Sequence, residues 1–179
     1  MKIIRVILSL SLTFFVLSVK GGLALLAAEN IPAAADGTEW IIYFTNIKNQ
    51  EVPLVCTVAA SERAKERGLM FKTSLEKNKG MIFLYDKEIL LTFWMRNTSI
   101  PLSIAFVNAK NSVVDIFDMR PFDERIVSSS VPALYAVEAN KGWFRRNFIY
   151  NGSKMRIVRN QQPLSGPKNK TGEKNRTQR

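Results

Sequence analysis

LSIAFVNAKNSVVDIFD, residues 102–118, sets two short runs of β-branched, aromatic and aliphatic residues on either side of the polar link Asn108-Ala109-Lys110-Asn111. A cluster of turn-forming residues between two such runs specifies a hairpin, 102–108 against 112–118. Outward from it the same composition recurs at 41–45, 52–59, 81–85, 90–96, 133–139 and 154–158. The polar segment 46–50 reads as a loop, so the first two of these runs form a hairpin or neighbouring strands. Helical signals are few. Ser61 supplies an N-cap to Glu62-Arg63-Ala64-Lys65-Glu66-Arg67, and Gly68 follows where a helix end favours positive φ. Its charged face is expected in water, with Leu69, Met70 and Phe71 returning the chain to the core. Residues 73–79 read as a second helical turn or a loop. Many short strands around one or two short helices predict a β-rich α+β domain, either a small barrel or a strongly bent antiparallel or mixed sheet. There is no alternating βαβ pattern, and neither GxGxxG nor GxxxxGK[ST] occurs. A nucleotide-binding α/β fold is therefore not expected.

At the amino end, Lys2 and Arg5 precede an uncharged run over 6–19, and Lys20, two glycines and the small-residue stretch 23–28 follow. This is the layout of an export signal, 1–28, with cleavage after Ala28 or near Ala35. The alternative is an uncleaved membrane anchor. Residues 3–19 number 17 before Lys20 interrupts them, short of the ~20 that span a bilayer comfortably. Either reading places the protein outside the cytoplasm, in the periplasm or extracellular space. Residues 29–39 read as a linker. Residues 160–179 contain one leucine, no other large apolar side chain, and five basic residues against Glu173. Too little apolar surface is available there to offset the entropy of ordering, so a disordered basic tail is expected. Residues 40–159 then form a single domain, long enough for one hydrophobic core.

The formal net charge of +11 divides along the same lines, because 36–159 holds 18 basic and 13 acidic residues, a net +5. The domain itself is only moderately positive, with no basic stripe interleaved with aromatics, so no nucleic acid partner is expected. The tail suits an anionic membrane or acidic polymer, or serves only as a solubilising end. Cys56 is the only cysteine, so no intramolecular disulfide forms. Alternation with Val52, Leu54 and Val58 puts it on the apolar face of a strand, where cysteine packs as a small hydrophobe.

The chain contains no histidine, which removes the commonest general base and zinc ligand and every Ser-His-Asp or Cys-His arrangement. Ser74-Leu75-Glu76-Lys77 spells SxxK and Lys170-Thr171-Gly172 spells KTG, but the second lies in the tail and the intervening SxN is missing. Met70, Met81, Met95 and Met119 sit among apolar residues and read as core packing, so no metal site or cofactor is expected. Carboxylates remain, since two acids suffice for glycoside hydrolysis. Of Asp86, Glu88, Asp115, Asp118, Asp123 and Glu124, most fall at predicted strand ends or turns. Glu138 lies inside an apolar strand, where a carboxylate ordinarily has a cationic partner, and Arg96 is the best available one. Period-two alternation sets Trp94, Arg96 and Thr98 on one face and Phe93, Met95 and Asn97 on the other. A guanidinium beside an indole can hold an anionic or sugar ligand; the same residues can equally form a structural ion pair shielded by Trp94. Asn97 and Thr98 also suit a turn ahead of Pro101.

The succession Ala60-Ser61-Glu62-Arg63, Gly68-Leu69-Met70, Leu75, Gly80-Met81-Ile82-Phe83, Phe93-Trp94-Met95-Arg96-Asn97-Thr98, Ile100-Pro101-Leu102, Ile104-Ala105-Phe106, Pro121 and Val137-Glu138 with Gly142 resembles the signature of the family catalogued as domain of unknown function 192. The likeness covers 52–156. It implies a compact β-rich domain, often exported, and implies no reaction. That family typically carries Asp after the Pro-Leu pair, where this chain has Ser103. Two functional readings follow. One is a noncatalytic binding or interaction module of the cell envelope, with Trp94, Arg96, Asn97, Thr98 and Glu138 around a cleft for a small anionic, peptide or carbohydrate ligand. The other is a carboxylate-based hydrolase acting on an envelope polymer.

Overall fold

The computed structural model describes residues 34–159; the expected export signal and basic tail lie outside them. Nine strands and two short helices run in the order β1 (Glu39–Thr45), β2 (Glu51–Ala59), α1 (Glu62–Arg67), β3 (Lys79–Ile89), β4 (Thr92–Phe93), β5 (Leu102–Val107), β6 (Val113–Met119), β7 (Val127–Ser128), β8 (Ala133–Asn140), α2 (Trp143–Arg146) and β9 (Lys154–Arg159). Seven strands form one mixed sheet, β6-β5-β8-β3-β2-β1-β9, and β4 pairs with β7 in a separate two-stranded ribbon. Every pairing is antiparallel except β2 with β3, whose parallel register is bridged by α1. The described residues thus contain one βαβ crossover, which the lone short helix does not announce in the sequence.

The sheet curls until its two edges meet at one end. Ser112 bridges Lys154, the Val113 N–H donates to the Ser153 carbonyl (2.9 Å), and the Met155 N–H donates to the Asn111 carbonyl (2.8 Å). Alternation along each strand then sorts side chains between two cores. Inside the curl lie Trp40, Ile42, Phe44, Leu54, Cys56, Val58, Ile82 and Val137, closed by Trp143 and Phe144 of α2. Phe44, Trp143 and Phe144 meet edge to face, with centroids 5.2–6.1 Å apart, the arrangement that ring quadrupoles favour. On the other face of β3, β8 and β5, a second core gathers Met81, Phe83, Leu102, Ile104 and Phe106 beneath Leu69, Leu91, Met95 and Ile100. The β4–β7 ribbon and the loops around it cover this core.

Local signals account for much of this. Ser61 accepts the Ala64 N–H (3.2 Å), and the Gly68 N–H closes α1 on the Ala64 carbonyl with φ at 46°. Asn108 Oδ1 accepts the N–H groups of Lys110 and Ser112, and Asn111 adopts φ 54° in the turn between β5 and β6. Asp36, in the stretch assigned to the linker, accepts the N–H groups of Ala60 and Ser61 (2.7 and 2.9 Å) and hydrogen-bonds the Ser61 hydroxyl. The strand expected over 90–96 shrinks to Thr92–Phe93. Leu91 turns into the second core and pairs with Ser129, and Asn97 takes a left-handed backbone, φ 54°. Residues 73–78 form no helix.

Candidate functional site

Glu138 is the central group. It sits on β8 between Met81 of β3 and Ile104 of β5, on the face that points into the second core. Gly80, next to Met81, makes the close packing of these strands possible. A Cβ there would run into the Glu138 carbonyl oxygen and press on Leu54 and Cys56, so the absence of a side chain is a steric requirement. Only 4% of Glu138 is exposed. Burial pushes its carboxyl up to about 8, because the surroundings cannot solvate the charge.

The expected partner is not there. Among the described residues the ion pairs are Glu62–Lys65, Glu39–Lys79, Asp123–Arg125 and Glu51–Arg156, so Glu138 and Arg96 form no salt bridge. Met95 is the cause. It is buried, its N–H donates to the Asp123 carbonyl (2.9 Å), and the Thr98 N–H closes a turn on the Met95 carbonyl (3.1 Å). That turn throws Arg96 out into solvent, where its guanidinium lies 5.3 Å from the Trp94 ring centroid. The alternation predicted for Trp94, Arg96 and Thr98 fails at the same point. Trp94 and Arg96 are exposed, Asn97 is an exposed left-handed turn residue, and Thr98 returns inward with its hydroxyl donating to the Arg96 carbonyl (3.2 Å).

Glu138 instead lines a cleft of about 370 Å³, together with Trp94 and Thr98. Phe83, Phe93, Tyr85, Leu69 and Met70 supply its apolar walls, and Glu62, Lys65, Glu66 and Arg67 of α1 form one lip. No fully buried side-chain oxygen or nitrogen among the described residues lacks a hydrogen-bond partner, so the unpaired Glu138 carboxyl reaches the cleft. Three of the five residues expected at a site therefore converge, Trp94, Thr98 and Glu138, while Arg96 and Asn97 do not line the cleft. Lys65 and Tyr85 escaped sequence reasoning. The Lys65 side chain is not in water with the rest of α1; its ammonium pairs with Glu62 (2.6 Å) and lies 4.4 Å over the Tyr85 ring. Burial, with smaller contributions from Glu62 and Glu138, pushes the Tyr85 hydroxyl up to about 12. Helical spacing places Lys65 with Glu62, but its contact with Tyr85 depends on how α1 docks on β3.

A second cavity, of about 280 Å³, adjoins Ser103 and Asp118. Ser103 and Asp118 face each other across the β5–β6 ladder and are hydrogen-bonded, and the Ser103 oxygen also accepts the Gly142 N–H (2.7 Å).

The model of the family described as DUF192, Uncharacterized ACR, matches residues 44–157. The chain belongs to this family. Its matched span reaches from β1 into β9, slightly beyond the stretch of sequence resemblance at both ends, and includes every residue of the cleft. No curated protein matches the chain. Among solved structures, a protein of unknown function from Novosphingobium aromaticivorans DSM 12444 is 33% identical, with a TM-score of 0.62, over 69% of this chain and 94% of that one. A protein from Sinorhizobium meliloti 1021, named as a candidate transcription regulator, has a TM-score of 0.66 over 69% of this chain and 96% of that one. At 22% identity that likeness concerns the fold alone. Both relatives consist almost entirely of the matched domain.

Proposed function

We propose that this DUF192 protein is an exported, noncatalytic binding module of the cell envelope whose cleft takes a small carbohydrate ligand. The observation that carries the reading is the Glu138 carboxyl, unpaired among the described residues and lining an open cleft. Because burial keeps it protonated below a pH of about 8, the group both donates and accepts a hydrogen bond, as sugar hydroxyls require. Trp94, 39% exposed on the cleft wall, offers a ring on which a sugar face can stack. The lip carries two acids and two bases, which favours a neutral ligand over an anionic one. Export is supported by the charged start and uncharged run of the amino-terminal segment.

Hydrolysis needs a second carboxyl ~5–9.5 Å from the first, poised across the scissile bond. The acids of the lip belong to the solvated face of α1, and Glu62 is 92% exposed and held by Lys65, which favours binding over catalysis. A thermal-shift screen of the purified protein against sugars, peptides, nucleotides and metal ions tests the reading. Stabilisation by a saccharide, lost in both Trp94→Ala and Glu138→Leu, is the expected result. Stabilisation by no saccharide sinks it, and turnover of a glycan by the wild type would establish the hydrolase instead.

A further inference from the structure

We propose that three loops beside the cleft form a docking surface for an anionic phospholipid bilayer. Backbone hydrogen bonds lace them together: the Phe71 N–H donates to the Asn97 carbonyl (2.9 Å), the Phe122 N–H to the Thr98 carbonyl (3.0 Å), and the Met95 N–H to the Asp123 carbonyl (2.9 Å). On these loops Phe71, Phe122 and Ile126 are 71%, 63% and 66% exposed, and the half-open Trp94 shares a shallow depression with Ile126. None of the three strongly exposed side chains belongs to either hydrophobic core. Phe71 and Phe122 also adopt left-handed backbones, φ 63° and 58°, a conformation that glycine takes freely and bulky side chains avoid. Rings that add nothing to the core and sit on a backbone better suited to glycine have no role in folding that would explain them. Such rings are placed for contact beyond the described residues.

The neighbouring charges identify the partner. Each apolar tip has a cation beside it in sequence: Lys72 next to Phe71, Arg96 two residues from Trp94, Arg120 two from Phe122, and Arg125 next to Ile126. All four are exposed, and the first three form no ion pair among the described residues. Asp123, which holds Arg125, and Glu124 are the acids of these loops, leaving an excess of positive charge. The core of a protein interface gathers apolar groups into one patch and excludes charge. Separate aromatic and aliphatic tips, each flanked by a base, match the headgroup layer instead, where rings settle at the interface and cations meet anionic lipid.

The full-length protein on lipid vesicles provides the test, because Trp40 and Trp143 are buried and Trp94 is the exposed indole. Brominated acyl chains quench only indoles that reach the bilayer. On brominated phosphatidylglycerol vesicles Trp94 emission is expected to fall, with much weaker quenching on brominated phosphatidylcholine or in high salt. In Phe71→Ser/Phe122→Ser, the ratio of docked to undocked domain should drop about tenfold or more, while an unchanged melting temperature shows that the variant folds. Unquenched Trp94 on the anionic vesicles overturns the proposal, as does equal quenching of the double variant or quenching indifferent to lipid charge and salt. A concentration-dependent dimer abolished by the same variant, with Trp94 unquenched, assigns the surface to a second copy of the chain and equally overturns it.

Discussion

Glu138→Gln isolates the energetic consequence of a carboxyl buried without a partner among the described residues. In the unfolded chain this group titrates near 4.5, and in the folded protein near 8. Between those values the folded protein holds a proton that the unfolded chain has released, so stability falls by about 1.4 kcal/mol per pH unit as pH rises. The stabilisation is fully present below the unfolded value and is lost by the time pH passes the folded one, a total of about 4–5 kcal/mol across the window. That is a large share of the ~5–15 kcal/mol that ordinarily separates a folded domain from its unfolded chain. Glutamine keeps the size of the side chain and cannot ionise. Urea denaturation between pH 5 and 8.5 should therefore show the two proteins close to equal at pH 5 and the variant more stable by about 4 kcal/mol at pH 8.5. The depressed carboxyls of Asp36, Glu51 and Asp123, the last near 2, change charge below this window and leave the comparison undisturbed. Parallel pH profiles for the two proteins would refute the reasoning, since they would mean that Glu138 is already ionised at neutral pH and finds a partner or solvent in the folded protein.

Two further perturbations probe the packing around the same strand. Gly80→Ala drives a methyl into the Glu138 carbonyl, so β8 itself has to move. The expected cost is about 3 kcal/mol or more, read as a lower urea midpoint at unchanged slope, and a variant as stable as wild type would mean that the strands are less tightly apposed. Cys56 is fully buried, and burial pushes its thiol far above the ordinary range. A thiol reagent at pH 8 should therefore leave it untouched in the native protein and modify it in urea; rapid native labelling would place the thiol at the surface.

The elements that sequence reading placed well are those whose signals are local. Ser61 and Gly68 bound α1 through hydrogen bonds within a few residues of each other, and Asn108 and Asn111 shape their turn in the same way. Period-two alternation likewise put Cys56 among Leu54 and Val58 on the inner face of β2. It failed at Arg96 because one left-handed residue, Asn97, and one inward anchor, Met95, end the extended run, and neither is marked by glycine or proline at that point. The four-residue α2 and the two-residue β7 offer too few positions for any period to register.

From the sequence alone come the fold class, the caps of α1, the turn between β5 and β6, the family, and the anomaly of an acid inside the apolar run that becomes β8. All of these rest on the order of neighbouring residues along the chain. The surroundings of Glu138 were decided only in three dimensions. Met81 and Ile104 desolvate it from strands on either side, Trp94 and Thr98 border the cleft it opens into, and the Met95 turn carries Arg96 away from it. Desolvation and ion pairing depend on distances across the sheet, and residues far apart in sequence set those distances when the chain packs.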